Sequence, residues 1–293
     1  RQRGNENELV RSLIQTARLK ECPAMLARTS DYPLDAATQL ESLSETRLKS
    51  SAGEAYWNFT SAFGGWALAL GFSAVQQANP QSGMLAGATA SFLKPLPADG
   101  MEVDVCALRE GRRTNFIRTE FSAPQDPASL VFTADYVFSD IKEKARDYTC
   151  DFPEVKAPED AERLPDTPGP KFLSRYEQRV ALGQPFSAQE RPHSACWVRD
   201  TADRPWDAKA LLALSDTPMP RTFFVAPTPR FGATVQYDLH VMCSAEELAA
   251  CGSDFLLVEA TSDRVFSGRF SQTTRSWSPD KKRLAISNQL AFY

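Results

Sequence analysis

Histidine is almost absent from this chain. Only His193 and His240 occur in 293 residues, and neither has a Cys, His or carboxylate at metal-ligand spacing, so no dedicated zinc or di-iron site is expected. Glycine-rich phosphate loops are missing too: neither GxGxxG nor GxxxxGK[ST] occurs, which removes the usual cradles for dinucleotides and triphosphates. Without a GxSxG elbow, the commonest serine-hydrolase arrangement is also excluded. The six cysteines form no CxxC pair, and their scatter in apolar surroundings fits reduced thiols in a cytoplasmic protein better than a disulfide framework. No apolar run approaches the roughly 20 residues that cross a bilayer. Basic runs are lacking as well, and Lys+Arg 33 against Asp+Glu 37 leaves a formal charge of −4, so neither nucleic acid nor a membrane is expected as a partner.

What is present reads as an ordinary folded chain, 42% hydrophobic and 24% charged, long enough for two domains or one duplicated unit. It opens on Arg1 rather than Met, and no targeting signal is read from its start. Asn58-Phe59-Thr60 matches the glycosylation triplet, a pattern common by chance.

The order of elements repeats. Gly87-Ala88-Thr89 and Gly232-Ala233-Thr234 each open a strand-like run, and each follows a helical segment and precedes three further strands. In the first half, Gly64 to Ala78 sets Ala67, Leu70, Ala74, Val75 and Ala78 on one helical face, and Pro80 ends it. Strands are predicted over 84–93, 101–108, 115–121 and 130–138. Val103 and Val105 alternate with Glu102 and Asp104, and Phe132, Ala134, Tyr136 and Phe138 with Thr133 and Asp135, as half-buried strands require. In the second half a helix is predicted near 207–215, stopped by Pro218 and Pro220, with strands near 233–242, 255–261, 265–272 and 283–292. Residues 151–171, rich in Pro, Glu and Asp and without apolar period, mark a linker between units 1–150 and 172–293. A helix followed by a run of antiparallel strands argues for an α+β fold. The small residues Gly64, Gly65, Ala67, Gly71 and Ala74 let a curved sheet close around the helix, which is the hot-dog geometry, here twice over.

Three polar residues stand in unusual settings. Asp216 ends an apolar helix, where it is either a solvated turn residue or a carboxylate with a task. Thr234 begins a strand, where threonine is ordinary, and shares parity with Gln236 and Asp238. Gln289 lies on the face of Ala285, Ser287 and Ala291, and a long amide among small residues signals either a cavity or a polar contact across an interface. By position in the repeat its counterpart is Asp135.

Together, Phe63-Gly64-Gly65-Trp66, Ser91-Phe92-Leu93-Lys94-Pro95, Leu108-Arg109-Glu110-Gly111-Arg112-Arg113 and Ser287-Asn288-Gln289-Leu290-Ala291 resemble the type II, double hot-dog acyl-CoA thioesterases, from about Tyr56 to Tyr293. The resemblance implies a hydrolytic triad of Asp216, Thr234 and Gln289, with no metal and no cofactor. It further implies substrate contacts from Gly64, Gly65 and Trp66, acyl-CoA as the substrate, and pairing into a homodimer or higher homo-oligomer. Arg112 and Arg113, with Arg109, or Lys281 to Arg283, are candidates for the phosphates of coenzyme A, and Phe63, Trp66, Phe223 and Phe224 for the acyl tunnel. Two other readings remain open: a hot-dog hydratase or dehydratase, for which His193 lacks the expected neighbours, and a non-catalytic acyl-binding protein.

Overall fold

The computed structural model describes residues 32–293 except 52, 141–145, 147, 166–168 and 229; the first 31 residues of the unit drawn over 1–150 lie outside this range. The elements run α1 (Pro33–Ala37), β1 (Leu40–Ser42), β2 (Arg47–Ser50), β3 (Trp57–Asn58), β4 (Ser61–Ala62), α2 (Gly64–Ala78), β5 (Leu85–Phe92), β6 (Glu102–Glu110), β7 (Thr114–Ala123) and β8 (Asp126–Ser139). The second half follows with β9 (Glu162–Arg163), β10 (Tyr176–Leu182), β11 (Ser194–Asp200), α3 (Ala208–Leu214), α4 (Thr222–Val225), β12 (Ala233–Val241), α5 (Ala245–Ala249), β13 (Leu256–Thr261), β14 (Val265–Phe266), β15 (Arg269–Trp277) and β16 (Arg283–Phe292). The strand predicted over 265–272 is divided, because Ser267 and Gly268 take positive φ and turn the chain.

One antiparallel sheet runs β1-β2-β6-β7-β8-β5-β12-β16-β15-β13-β11-β10-β9, with β14 beside β15. The order is palindromic about the β5–β12 ladder, where the two halves join edge to edge. This is the double hot-dog architecture. Up to Val75 the helix α2 is buried nearly all round, including Leu68 and Ala69 as well as Ala67, Leu70, Ala74 and Val75 of the predicted stripe, because α3 of the second half packs on the side that the sheet leaves open; Ala78 at its end is half-buried. Gly65 makes that crossing possible: a Cβ there would lie 2.4 Å from the Ala213 carbonyl oxygen.

Each joining strand carries one register shift, between Leu85 and Gly87 in β5 and between Thr234 and Gln236 in β12. Superimposing these bulges sets Thr234 against Leu85, so the Gly-Ala-Thr triplets of the two halves are not structural equivalents. Residues 151–171 form more than a crossing. Phe152 packs on Trp197 and Trp277, the Trp197 Nε1 donates to the Lys156 carbonyl at 2.8 Å, and β9 pairs with β10. The segment is strapped over the second half's outer face, where Ala195, Leu257 and Trp277 form a separate apolar cluster. Its apolar residues contact the sheet at irregular spacing, which is why no period marks them.

Candidate active site

Side chains alternate along a strand, and one extra residue exchanges the faces. In β12 the inward side chains are Tyr237 and Leu239, both buried, so unbroken alternation would turn Thr234 outward. The bulge at Val235 turns it inward instead and breaks its parity with Gln236, which is exposed. Its Oγ1 donates to the Gln289 Oε1 at 2.6 Å. Gln289, 9% exposed, shares the inner face of β16 with buried Ala285, Ser287 and Ala291. The small neighbours leave it room, and its amide nitrogen has no hydrogen-bond partner among the described residues.

Asp216 stands just beyond α3. The helix ends because Pro218 and Pro220 cannot continue it, and its last carbonyls are satisfied by hydroxyls: Ser215 Oγ donates to Leu212 O at 2.7 Å and Thr217 Oγ1 to Leu214 O at 2.8 Å. Asp216 is half-buried. Desolvation pushes its carboxyl up to about 7, opposed in part by the backbone N–H of Gly65 at the start of α2. A Cβ on Gly64 would come within 2.7 Å of its Oδ2, so the glycine pair lets the helix start abut the carboxylate.

Among the described residues no hydrogen bond joins Asp216 to Thr234 or Gln289. The link is one residue removed: the Tyr237 hydroxyl donates to Ser215 Oγ at 2.6 Å, and Tyr237 lies directly opposite Gln289 in the β12–β16 ladder.

The first half is built differently at the same place. The second residue past its bulge, Ala88, pairs with Tyr136, as Tyr237 pairs with Gln289, so Tyr136 and not Asp135 is the counterpart of Gln289. The Tyr136 hydroxyl donates to the Leu68 carbonyl at 2.7 Å, where Gly71 has no side chain to obstruct it. Asp135 faces the other way and pairs with Arg118 at 2.7 Å.

Gly64 and Gly65 thus meet Asp216, but the other residues expected against substrate lie elsewhere. Trp66 is fully buried and donates from Nε1 to Ala37 O at 3.0 Å, a core position. Arg112 and Arg113 are exposed in the β6–β7 hairpin. That hairpin adjoins the Leu85 end of β5, since Asp140 N donates to Arg113 O and Leu85 pairs with Phe138. Gly64 adjoins Phe92 at the other end of β5, about 23 Å away at 3.3 Å per residue. Lys281 and Arg283 lie over Phe152 and Trp277 on the outer face. His193 bonds Glu259 at 3.0 Å. No group of three or more His, Cys, Asp or Glu among the described residues is arranged to hold a metal.

Two cavities flank these residues. One, of about 20 Å³, is lined by Cys196, Val198, Thr217, Pro218, Met219 and Phe224 among others and begins at the residue after Asp216. The other, open and of about 450 Å³, is bordered by Thr222, Arg230, Asp263, Arg264 and Tyr293; Tyr293 follows Gln289 by four residues, about 13 Å along the strand. Sequence reasoning missed the groups between them. Arg221 is fully buried, and its Nε donates at 2.8 Å to Oε1 of Gln272, which pairs with Gln289 across the β15–β16 ladder.

Comparison with known proteins agrees with this architecture. Residues 54–139 match the model of the acyl-CoA thioesterase N-terminal domain and residues 157–293 that of the acyl-CoA thioesterase C-terminal domain. A hot-dog protein of unknown function from Alicyclobacillus acidocaldarius is 25% identical and superposes with a TM-score of 0.85, over 90% of this chain and 98% of that one. The tesB protein of Mycobacterium avium subs paratuberculosis and the acyl-CoA thioesterase II TesB2 of Mycobacterium marinum are each 15% identical, with TM-scores of 0.70 and 0.68, over 88% of this chain and 97% of theirs. Among curated proteins none matches. With both of its halves matched in order and the double hot-dog sheet in place, the chain belongs to the acyl-CoA thioesterase family.

Proposed function

We propose that the protein hydrolyses an acyl-CoA thioester by direct attack of water, with Asp216 as general base. The observation that carries this reading is a half-buried carboxyl raised to about 7 beside the start of α2, since a base works best when it titrates near the working pH. A thioester is already activated, so no covalent intermediate is needed. Asp216 takes a proton as the water oxygen bonds to the carbonyl carbon. The tetrahedral adduct collapses with cleavage of the C–S bond, and the thiolate recovers that proton, leaving acid and free thiol. Thr234 and Gln289 hold the water or the developing oxyanion through the free amide end of Gln289, and N–H groups at the start of α2 polarise the carbonyl. The adduct's negative charge in a water-poor site makes such donors count more than they would in solvent.

In this reading the acyl group enters the small apolar cavity behind Thr217, and the nucleotide end of coenzyme A meets Arg230 and Arg264 at the open one. The units 1–150 and 172–293 act together, the first lending its helix start to a site whose side chains come from the second. A hydratase reading is disfavoured by the engagement of His193, just before β11, with Glu259 on the neighbouring strand β13. The test is thiol release from a panel of acyl-CoA thioesters. Turnover that falls roughly 100- to 10,000-fold in Asp216→Ala supports the proposal, in line with loss of a general base; parent-level turnover by that variant refutes it.

A further inference from the structure

Arg221 is the one fully buried cation with no carboxylate within 4.0 Å among the described residues. Burying an unpaired charge is costly, and this one is held only by neutral acceptors. Besides Gln272, it donates to Ser194 Oγ at 2.9 Å, Ala260 O at 3.0 Å and Met219 O at 2.6 Å, and its guanidinium lies 4.3 Å over the Phe224 ring. The Met219 contact ties the turn that carries Asp216 to the sheet. The Gln272 contact reaches the strand beside Gln289.

An amide side chain has one accepting end and one donating end. Arg221 offers only donors, so it fixes Gln272 with Oε1 toward itself and leaves the Gln272 NH2 for its remaining neighbours. Gln289 is the residue directly across the strand pair, about 4.5–5.5 Å away between Cβ atoms. The Thr234 hydroxyl holds the Gln289 oxygen within the protein, and the Gln272 NH2 makes no hydrogen bond among the described residues. With its own oxygen taken by Arg221, Gln272 has only donors left for the residue opposite, which disfavours a flip that would turn the Gln289 NH2 inward.

We infer that Arg221 is a positioning residue, which acts through Gln272 to set the amide of Gln289 donor-end outward. The inference rests on the thioesterase reading for its kinetic consequence but not for its geometry. A purely structural arginine would need only an acceptor at position 272. A relay needs the N–H as well, and Gln272→Glu separates the two, because it still accepts from Arg221 but has no N–H to give.

The test uses the full-length chain with Gln272→Glu, Gln272→Met and Arg221→Lys, each alone and with Gln289→Ala. With acyl-CoA, each single variant is expected to lower kcat roughly tenfold or more, the cost of misplacing one oxyanion donor. KM is expected to stay within about twofold, because the contact matters only in the transition state. In the Gln289→Ala background the same changes are expected to cost under about twofold, since the relay has nothing left to orient. Parent-level kcat in Gln272→Glu, or effects that multiply with Gln289→Ala, overturns the inference while leaving the thioesterase reading intact. If the parent releases no thiol, the thioesterase reading fails, and the relay is judged by NMR on protein carrying 15N-glutamine. The side-chain resonance assigned to Gln289 by its loss in Gln289→Ala should move in Gln272→Glu and Gln272→Met, and an unmoved resonance overturns the inference.

Discussion

Asp216→Asn should make the protein less active and more stable, and the gain should grow with pH. The folded carboxyl titrates near 7 instead of its ordinary 3.8 because burial disfavours its charge. The sign follows from proton binding. Below about pH 4 the group is protonated in both states and costs nothing. Between about 4 and 7 the unfolded chain ionises while the folded one resists, and stability falls. Above about 7 both are ionised and the full penalty persists, about 4 kcal/mol as an upper bound at 1.36 kcal/mol per tenfold change. Asparagine keeps the shape and an acceptor for the Gly65 N–H but carries no charge. Urea unfolding of parent and variant should therefore agree near pH 4 and diverge through pH 7, with the variant ahead by about 2–4 kcal/mol at pH 8.5. Activity of the parent should climb through an inflection near 7, since only the ionised carboxyl can accept a proton. A variant less stable than the parent at pH 8.5, or a parent inflection near 4, refutes the claim that a desolvated Asp216 is the base.

Other consequences can be measured separately. Gly65→Ala should destabilise by roughly 1–3 kcal/mol in thermal or denaturant unfolding, because its Cβ meets a backbone carbonyl that cannot swing aside. Met219→Ala should shift relative kcat/KM toward longer acyl chains, since the apolar cavity it borders is about 20 Å³, room for roughly one water; an unchanged chain-length profile argues that the acyl group lies elsewhere. Arg230→Ala with Arg264→Ala should raise KM for acyl-CoA and steepen no other parameter, while Arg112→Ala with Arg113→Ala should not. Sedimentation at micromolar concentration should show a homo-oligomer, and a monomer alone would count against the pairing implied by the family.

The helix over 64–78 and the terminal strand over 283–292 were legible because apolar period and breakers agree there, Pro80 closing the one and alternation running through the other. Gln289 stood out for a physical reason, a long amide among Ala285, Ser287 and Ala291, and the structure turns it inward, where it accepts from Thr234. Thr234 itself was found by resemblance. Strand parity pointed it outward, and the bulge at Val235 that reverses this has no signature in the residues around it. The triplet match of Thr89 with Thr234 and the pairing of Asp135 with Gln289 misled for the same reason, since a register is a property of two strands and cannot be read from one. Arg221 was invisible because arginine is ordinarily a surface residue, and Trp66 was assigned to substrate although its indole closes the core against Gly53. Residues 151–171 looked like a linker because the contacts of Phe152, Lys156 and β9 within them follow the far strands of the sheet, not a period of their own.

The central claim is tested most directly by following free thiol released from acyl-CoA thioesters of graded chain length, by the parent and by Asp216→Ala at matched folded concentration. The account predicts steady release by the parent and a loss of roughly 100-fold or more in the variant, with both proteins folded; release by the variant at the parent's rate, or none from any thioester by the parent, contradicts it.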